Sequence, residues 1–381
     1  VDFSLTQEHR LLREQVRDFS KRELEPVVAE ADATETLPMD VYRRAGELGF
    51  LGSYLPAPYG GGGGDLLGRA IIKEEFARVS PGFSVSAFDS SVVFANNVWK
   101  LGSEGQRKRY LPPIIKGEKV GCWCLTEPNA GSDALSIETS AARQGERYVI
   151  NGTKTLITNA PIADFFIVLA RTSPREGLKG GTAFILEREM RGLSTAKAMK
   201  KLGMRCSPTG ELFLQDVSVP REQILGKVDE GFAGMLASLD VERALAPMTG
   251  VGIAQACLEH SLSHVRKRLQ SRRPIIEFQL IQAKLADMAV GIELSRAYAH
   301  RVIAMAESGE PISKEAAIAK YYSSSIAVQS ALEAVQIMGE RGYLEANPVE
   351  RYLRDAKMLE IGGGTSEIQK LIIAREELRQ R

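Results

Sequence analysis

Few cysteines, almost no net charge and no long apolar run mark this sequence, and each shortage removes a class of protein. The four cysteines, Cys122, Cys124, Cys206 and Cys257, stand at spacings that suit neither a zinc site nor a disulfide framework. Cys122 and Cys124, flanking Trp123, read as packing residues on a strand, and no metal site is expected. With 49 Lys and Arg against 48 Asp and Glu the net charge is +1, which argues against a general nucleic-acid or membrane-surface binder. No window approaches the roughly 18 consecutive apolar residues of a membrane span. No cleavable leader precedes Leu5, so a cytoplasmic protein is expected. Internal repeats and low-complexity tails are also missing.

What is present is enough apolar material for a substantial core: 381 residues, 44% hydrophobic, imply two or three domains. From Thr6 onward "LTQEHRLLREQVRDFSKREL" repeats apolar residues at three- and four-residue spacing, the mark of an amphipathic helix. "LPAPYGGGGGD", Leu55 to Asp65, breaks that pattern and reads as a loop between helices. A phosphate cradle would need a preceding strand and a following Lys-Ser/Thr pair, and neither is there. Near Gly121 the pattern becomes short β-branched and aromatic runs, "RYVINGTKTLITN", "DFFIVLART", "GGTAFILER" and "GELFLQDVSVP". Turns are expected at Asn151-Gly152 and Gly180-Gly181. Helical periodicity returns after Gly231. The expected fold class is therefore α+β, with helices over residues 1–120, an antiparallel barrel or sandwich over 121–225, and helices over 226–381.

Four segments in order, "CLTEPNAGSD", "INGTKTLITN", "FQLIQAKLADM" and "RYLRDAKMLEIGGGTSEIQKLIIARE", resemble the acyl-CoA dehydrogenase family of flavoproteins, and the resemblance runs from about Phe3 to Glu377. It implies an N-terminal helical domain, a middle antiparallel β domain and a C-terminal four-helix bundle, assembled as a homotetramer. It also implies FAD, an acyl-CoA substrate and an electron-transferring flavoprotein as acceptor. Members of the family take a proton from the carbon next to a thioester carbonyl and pass a hydride from the following carbon to the flavin, so the chain must supply position, polarisation and a base.

Residue by residue, the resemblance gives Leu125, Thr126 and Thr158 contacts with the flavin ring. Ser132 falls near the pyrophosphate and the thioester, and Leu156 stands where an aromatic residue usually covers the flavin. Arg268, Gln279 and Gln336 match contacts made to the distal part of FAD in a neighbouring subunit; a guanidinium suits a pyrophosphate because it donates paired hydrogen bonds. Two departures stand out: Ser271-Arg272 replace a Phe-Gly pair, and "GERGY", beginning at Gly339, replaces a Gly-Gly-x-Gly turn. Arg272, Arg273, Glu340 and Arg341 there form either a charged seam between subunits or a solvated loop. Thr365 and Glu367 match contacts at the flavin end of FAD.

The most informative stretch is "IGGGTSEI", Ile361 to Ile368, where the family's commonest base, a glutamate, is replaced by Gly363 and the tyrosine before it by Gly362. Glycine takes no proton, so either the base has moved or the chemistry has changed. Glu242, in "SLDVERALAP", matches the position from which long-chain and isovaleryl members supply their glutamate, and Arg243 matches a residue near the CoA moiety. A Glu-Arg pair at a helix start also commonly makes only a salt bridge or a dipole contact. Asp89, in "VSAFDSSVVFANN", is the competing carboxylate. It matches the acyl-pocket wall, where enzymes acting on alicyclic substrates use an aspartate, although an Asp before two serines also suits a cap or turn. Loss of side chains at Gly362 and Gly363 leaves room for a branched or ring-shaped acyl group. The resulting expectation is a dehydrogenase for a branched or alicyclic acyl thioester. Its alternatives are a desulfinase, a dehydrogenase of acyl-carrier-protein thioesters, and a non-enzymatic scaffold.

Overall fold

Thr6 begins the first helix as expected: its hydroxyl accepts the His9 amide at 3.2 Å, one of the donors a helix start leaves unpaired. The computed structural model describes residues 5–174 and 178–379, with the side chains of 235–240 outside the description. Seven helices come first: α1 (Gln7–Phe19), α2 (Val28–Thr34), α3 (Met39–Glu47), α4 (Leu66–Ala77), α5 (Pro81–Phe88), α6 (Ala95–Leu101) and α7 (Glu104–Ile115). Polar caps set several of these starts. Asp65 accepts from Gly68, Ser80 from Phe83, and Ser103 and Gln106 form a reciprocal capping box. α4 is buried almost all round and serves as the central helix. Between α5 and α6 the chain continues as wider, π-type turns over Asp89–Phe94.

The glycine run between α3 and α4 is a folded turn whose amides are already used. Gly62, Gly63 and Gly64 donate to the carbonyls of Gly52, Leu55 and Ser53, each at 2.9 Å. A Cβ at Gly61 would stand 2.1 Å from the Leu55 carbonyl oxygen, so glycine is required by close backbone approach.

Strands follow: β1 (Gly121–Cys124), β2 (Ser140–Gln144), β3 (Arg147–Thr158), β4 (Phe165–Arg171), β5 (Gly181–Glu187), β6 (Leu193–Thr195), β7 (Thr209–Pro220) and β8 (Ile224–Leu225). They make one sheet in the order β6-β7-β3-β2-β4-β5-β8, with β1 paired to β4. Most pairs are antiparallel, as the alternating runs imply. β1 runs parallel to β4, and β2 meets β4 in parallel at Ser140 and Arg171. Asn151-Gly152 is not a turn: both residues lie inside β3, where the register slips between Ile150 and Gly152. The physical reason is the bulge. Gly152, at φ +153, presses so close to Thr139 that a Cβ would come within 2.4 Å of its hydroxyl.

The remaining helices are α8 (Gly231–Leu245), α9 (Pro247–Lys267), α10 (Gln279–Glu307), α11 (Ser313–Met338), α12 (Pro348–Leu359) and α13 (Ser366–Arg379). A hairpin of β9 (Leu269–Gln270) and β10 (Arg273–Pro274) joins α9 to α10, with Ser271 and Arg272 at its tip in left-handed conformation, φ 51 and 68. Small residues let the long helices approach: Ala256, Cys257, Ala327, Ala331 and Ala334 share one core cluster. α10 and α11 leave Leu280, Val290, Leu294 and Leu332 on the outside, more than half exposed.

Gly252 is where α9 crosses α4; a Cβ there would lie 2.6 Å from the Glu74 carbonyl oxygen. Replacing it by valine is expected to cost about 1–3 kcal/mol or more through overpacking. Gly105→Ala on α7, where the nearest atom is 3.9 Å away, is expected to be neutral or stabilising. Thermal unfolding midpoints of the two variants check this, and equal midpoints would contradict it.

Candidate functional site

A cleft lies between the sheet and the C-terminal helices, and its floor rests on a buried ion pair. Lys154 on β3 has no exposed side-chain surface and donates to Glu127 at 2.7 Å and to the Leu125 carbonyl at 3.1 Å. Glu127 in turn accepts the amides of Glu138 and Thr139 at 2.6 and 3.0 Å. Burial pushes the Glu127 carboxyl up, but the Lys154 ammonium and these donors outweigh it and hold the group below the usual glutamate range. The pair locks the segment after β1 onto β3, and the Thr155 amide adds a bond to the Thr126 carbonyl at 2.9 Å.

This places Thr126, Ser132, Leu156 and Thr158 on one side of a cavity of about 540 Å³; Gly362, Gly363, Gly364 and Thr365 form the facing wall. Leu156 reaches the cavity because a second bulge in β3, between Lys154 and Ile157, puts it at φ 56 and leaves it 62% exposed. Leu202, Ile361 and Met358 are exposed apolar residues on the same cleft. Such a set of uncovered apolar side chains, with threonine and serine residues among them, fits a flat aromatic ring system with polar edges. The residues present therefore fit the flavin of FAD.

The glycine wall is a tight reversal between α12 and α13. Gly363 and Gly364 sit at φ 64 and 89, a region that penalises side chains, and Thr365 caps α13 by accepting the Ile368 amide at 3.3 Å. Lys201, Arg354 and Lys357 line the cleft, and among the described residues no carboxylate does. A carboxylate that acts on this cleft has to do so from behind these residues.

Both candidate carboxylates lie on the helical side. Val85 lines the cavity, and Asp89 follows one turn later in the same helical run, ruling out the turn reading. Asp89 is partly buried, and its Oδ2 has no hydrogen-bond partner. Burial, and then the nearby charge of Glu242, push its carboxyl well above the usual range, against the pull of Lys73 and the Trp123 amide. Glu242 is also raised, chiefly by burial, with Lys73 and Arg243 opposing. It stands in the last turn of α8 rather than at a helix start, so the favourable dipole contact considered from sequence is absent; a helix C-terminus disfavours a carboxylate. Lys73 on α4 completes the cluster: it is 4% exposed, with Nζ 3.0 Å from the centre of the Phe88 ring. Burial and Arg69 draw its pKa well down, while Glu242 and Asp89 hold it up.

Sequence reasoning missed Lys73, although a lysine inside the apolar run of a helix buried on every face is a detectable signal. It also missed the Lys154–Glu127 pair and the cations lining the cleft. The residues assigned to distal cofactor contacts lie apart from the cleft in this chain. Arg268, Gln279 and Gln336 are exposed, and Gln336 and Gly339 line a separate surface hollow of about 730 Å³ with Glu340, Arg341 and Tyr343. Arg273 stacks on Phe278, with its guanidinium 4.2 Å from the ring centre. Glu367 is exposed in the first turn of α13.

Family models cover nearly the whole chain: the acyl-CoA dehydrogenase N-terminal domain over residues 6–118, the middle domain over 122–217 and the C-terminal domain over 229–378. The chain is 39% identical over 381 residues to a short-chain-specific acyl-CoA dehydrogenase of Clostridium acetobutylicum, covering 100% of both. It is 40% identical over 370 residues to a mitochondrial isovaleryl-CoA dehydrogenase of Solanum tuberosum, covering 97% of this chain and 90% of the relative. Its fold superposes on butyryl-CoA dehydrogenase of Megasphaera elsdenii with a TM-score of 0.96 at 37% identity, over 100% of each chain.

Removing the lysine of the buried pair leaves Glu127 charged and partnered only by amides. Lys154→Met is expected to cost about 3–5 kcal/mol. Denaturant titration of the two proteins measures it, and a loss below about 1 kcal/mol, the range of surface pairs, would show the pair to be solvated.

Proposed function

Because this chain belongs to the acyl-CoA dehydrogenase family, whose members are FAD-dependent oxidoreductases acting on CH–CH groups, we propose that it oxidises the Cα–Cβ bond of a branched or alicyclic acyl-CoA with Glu242 as the base. The observation that carries this reading is the division of labour around the cleft. Its wall is bare glycine where a base is commonest in the family, and the titratable acids gather instead at Asp89 and Glu242. FAD, when bound, supplies the electron sink that takes the hydride from Cβ.

The protein's own groups do the rest. Thr126 and Thr158 offer hydroxyls and backbone to orient the ring edge, with Leu125 beside them and Leu156 against its face. Ser132 serves both the pyrophosphate and the thioester. Glu242 removes the α-proton as a carboxylate and holds it, and its position in an apolar setting brings its basicity nearer to neutral pH. Asp89 shares the proton load as the second acid, Lys73 supplies countercharge to both, and Arg243 faces the CoA moiety. The missing side chains at Gly362 and Gly363 give the acyl group width beside the reacting carbons, which favours a branch or ring over a narrow straight chain.

The domain division at 1–120, 121–225 and 226–381, the cytoplasmic location and the use of an electron-transferring flavoprotein as acceptor belong to the same reading. So does a homotetramer. The exposed Leu280, Val290, Leu294 and Leu332 support assembly through α10 and α11, which would bring Arg268, Gln279, Gln336 and Gly339 of one subunit to the distal end of the FAD of another. Thr365 and Glu367 complete the flavin end.

Anaerobic bleaching of the bound flavin by straight, branched and alicyclic acyl-CoA esters tests the reaction and the acyl class; fastest bleaching by a straight chain would refute the latter. Glu242→Gln is expected to slow bleaching by about 10²–10⁴-fold, the usual worth of a general base. Near-normal bleaching in that variant would remove Glu242 from the role.

The pH profile gives an independent measure. A base whose pKa is raised works only above that pKa, so bleaching should fall on acidification at a pH above the ordinary carboxylate range. Lys73 lowers the Glu242 pKa, so Lys73→Met should move the inflection to higher pH. An unmoved or more acidic inflection would contradict the coupling.

A further inference from the structure

The bare glycine wall is held from behind by a lysine. Lys320 on α11 is 5% exposed, and its ammonium donates to the Gly364 carbonyl at 2.6 Å. Two further side chains fix the same reversal: Gln369 donates to the carbonyls of Gly363 and Gly364 at 3.3 and 3.1 Å, and Ser324 to that of Leu359 at 3.0 Å. A turn of three glycines has the greatest backbone freedom to lose, so external bonds of this kind are what keep it in one conformation. The carbonyl that Lys320 grips belongs to a residue lining the cleft opposite Thr126 and Thr158.

A glutamine or a hydroxyl would satisfy that carbonyl without burying a charge. The charge itself therefore asks for a role. Burial brings the Lys320 pKa down to about 8, with Glu360 and Glu367 opposing the fall. These are the acids that face it, one just beyond α12 and the other on α13. Lys357 already holds Glu360 at 2.7 Å, and Glu367 is exposed. On α11 itself, Ser323 donates to the Lys320 backbone carbonyl and does not compete for the ammonium.

We propose that Lys320 is the positioning residue of the glycine wall and also its fixed positive charge, one peptide group behind the cleft, where it favours the reduced, anionic form of the flavin. The inference rests on the assignment of this cleft to the flavin. A cation held in a poorly solvated place near a redox group makes reduction easier, because the added negative charge is attracted to it. Linkage supplies a signature that a purely structural lysine would not have. Reduction raises the Lys320 pKa, so between about pH 8 and that higher value reduction takes up an extra proton. The flavin potential must then fall more steeply with pH above about 8 than below it.

The experiment measures the flavin reduction potential of the purified protein from pH 7 to 9, with FAD content per chain determined in parallel, for the wild type, Lys320→Met and Lys320→Arg. The wild type is expected to show the steepening. Lys320→Met should retain FAD with a more negative potential and a single slope, and Lys320→Arg should restore most of the potential. Unchanged potential and slope in Lys320→Met with FAD retained would overturn the proposal. If Lys320→Met does not fold, the wild-type profile decides: a single slope through pH 8 overturns the proposal, and a steepening there supports it. A wild type that binds no FAD would overturn the flavin assignment, and the proposal with it.

Discussion

The sheet side of the cleft depends on one buried ion pair, Lys154 with Glu127 at 2.7 Å. An ammonium without solvent is costly unless a carboxylate and further hydrogen bonds surround it, and here a carbonyl and two amides complete the set. The pair consequently accepts few alternative arrangements. It ties the segment containing Leu125 and Thr126 to β3, and the same stretch of β3 carries the bulge that turns Leu156 outward. Thr126, Ser132, Leu156 and Thr158 come from places up to a strand apart in sequence, and this tie makes one surface of them.

A second regularity runs through the molecule: charges act from behind neutral walls. Lys320 stands behind Gly364, Lys154 beneath Leu125 and Lys73 behind Phe88. Lys73, Lys154 and Lys320 are not among the residues that line the cleft, whose own cations are Lys201, Arg354 and Lys357. Low local polarity makes each such charge count for more, and burial shifts each lysine toward losing its proton. The acids obey the same logic in reverse. Asp89 and Glu242 are raised because they are poorly solvated, and Asp89 also because the Glu242 charge is near it.

Much of this was legible from residues alone. The helix-strand-helix order followed from hydrophobic period, the first helix start from Thr6, and the role of the glycine run from the missing phosphate-binding companions. The candidate site residues of the middle segment were named by resemblance, and the structure gathers Thr126, Ser132, Leu156, Thr158, Gly362, Gly363 and Thr365 around one cavity. Other features were not legible because they depend on partners distant in the chain. Asn151-Gly152 has the composition of a hairpin turn, yet pairing with β2 and β7 on either side makes it a bulge. Glu242 looked close to the start of a helix because Ser238 and Asp240, both cap-forming residue types, precede it, yet the helix begins at Gly231. The parallel pairing of β1 with β4 leaves no trace in an alternating pattern, which reports the buried face and not the strand direction.

Local propensity and periodicity, which act over a few residues, determined by themselves that this chain makes helices, then a sheet, then long helices; the sequence also placed three adjacent glycines at 362–364. Tertiary structure alone decided which charges meet. Lys73 finds Asp89 and Glu242 only when α4, α5 and α8 pack together, and Lys320 reaches Gly364 only across 44 residues of intervening chain. Electrostatic partnership depends on distance and solvent exclusion in space, and neither is a property of neighbouring residues in a sequence.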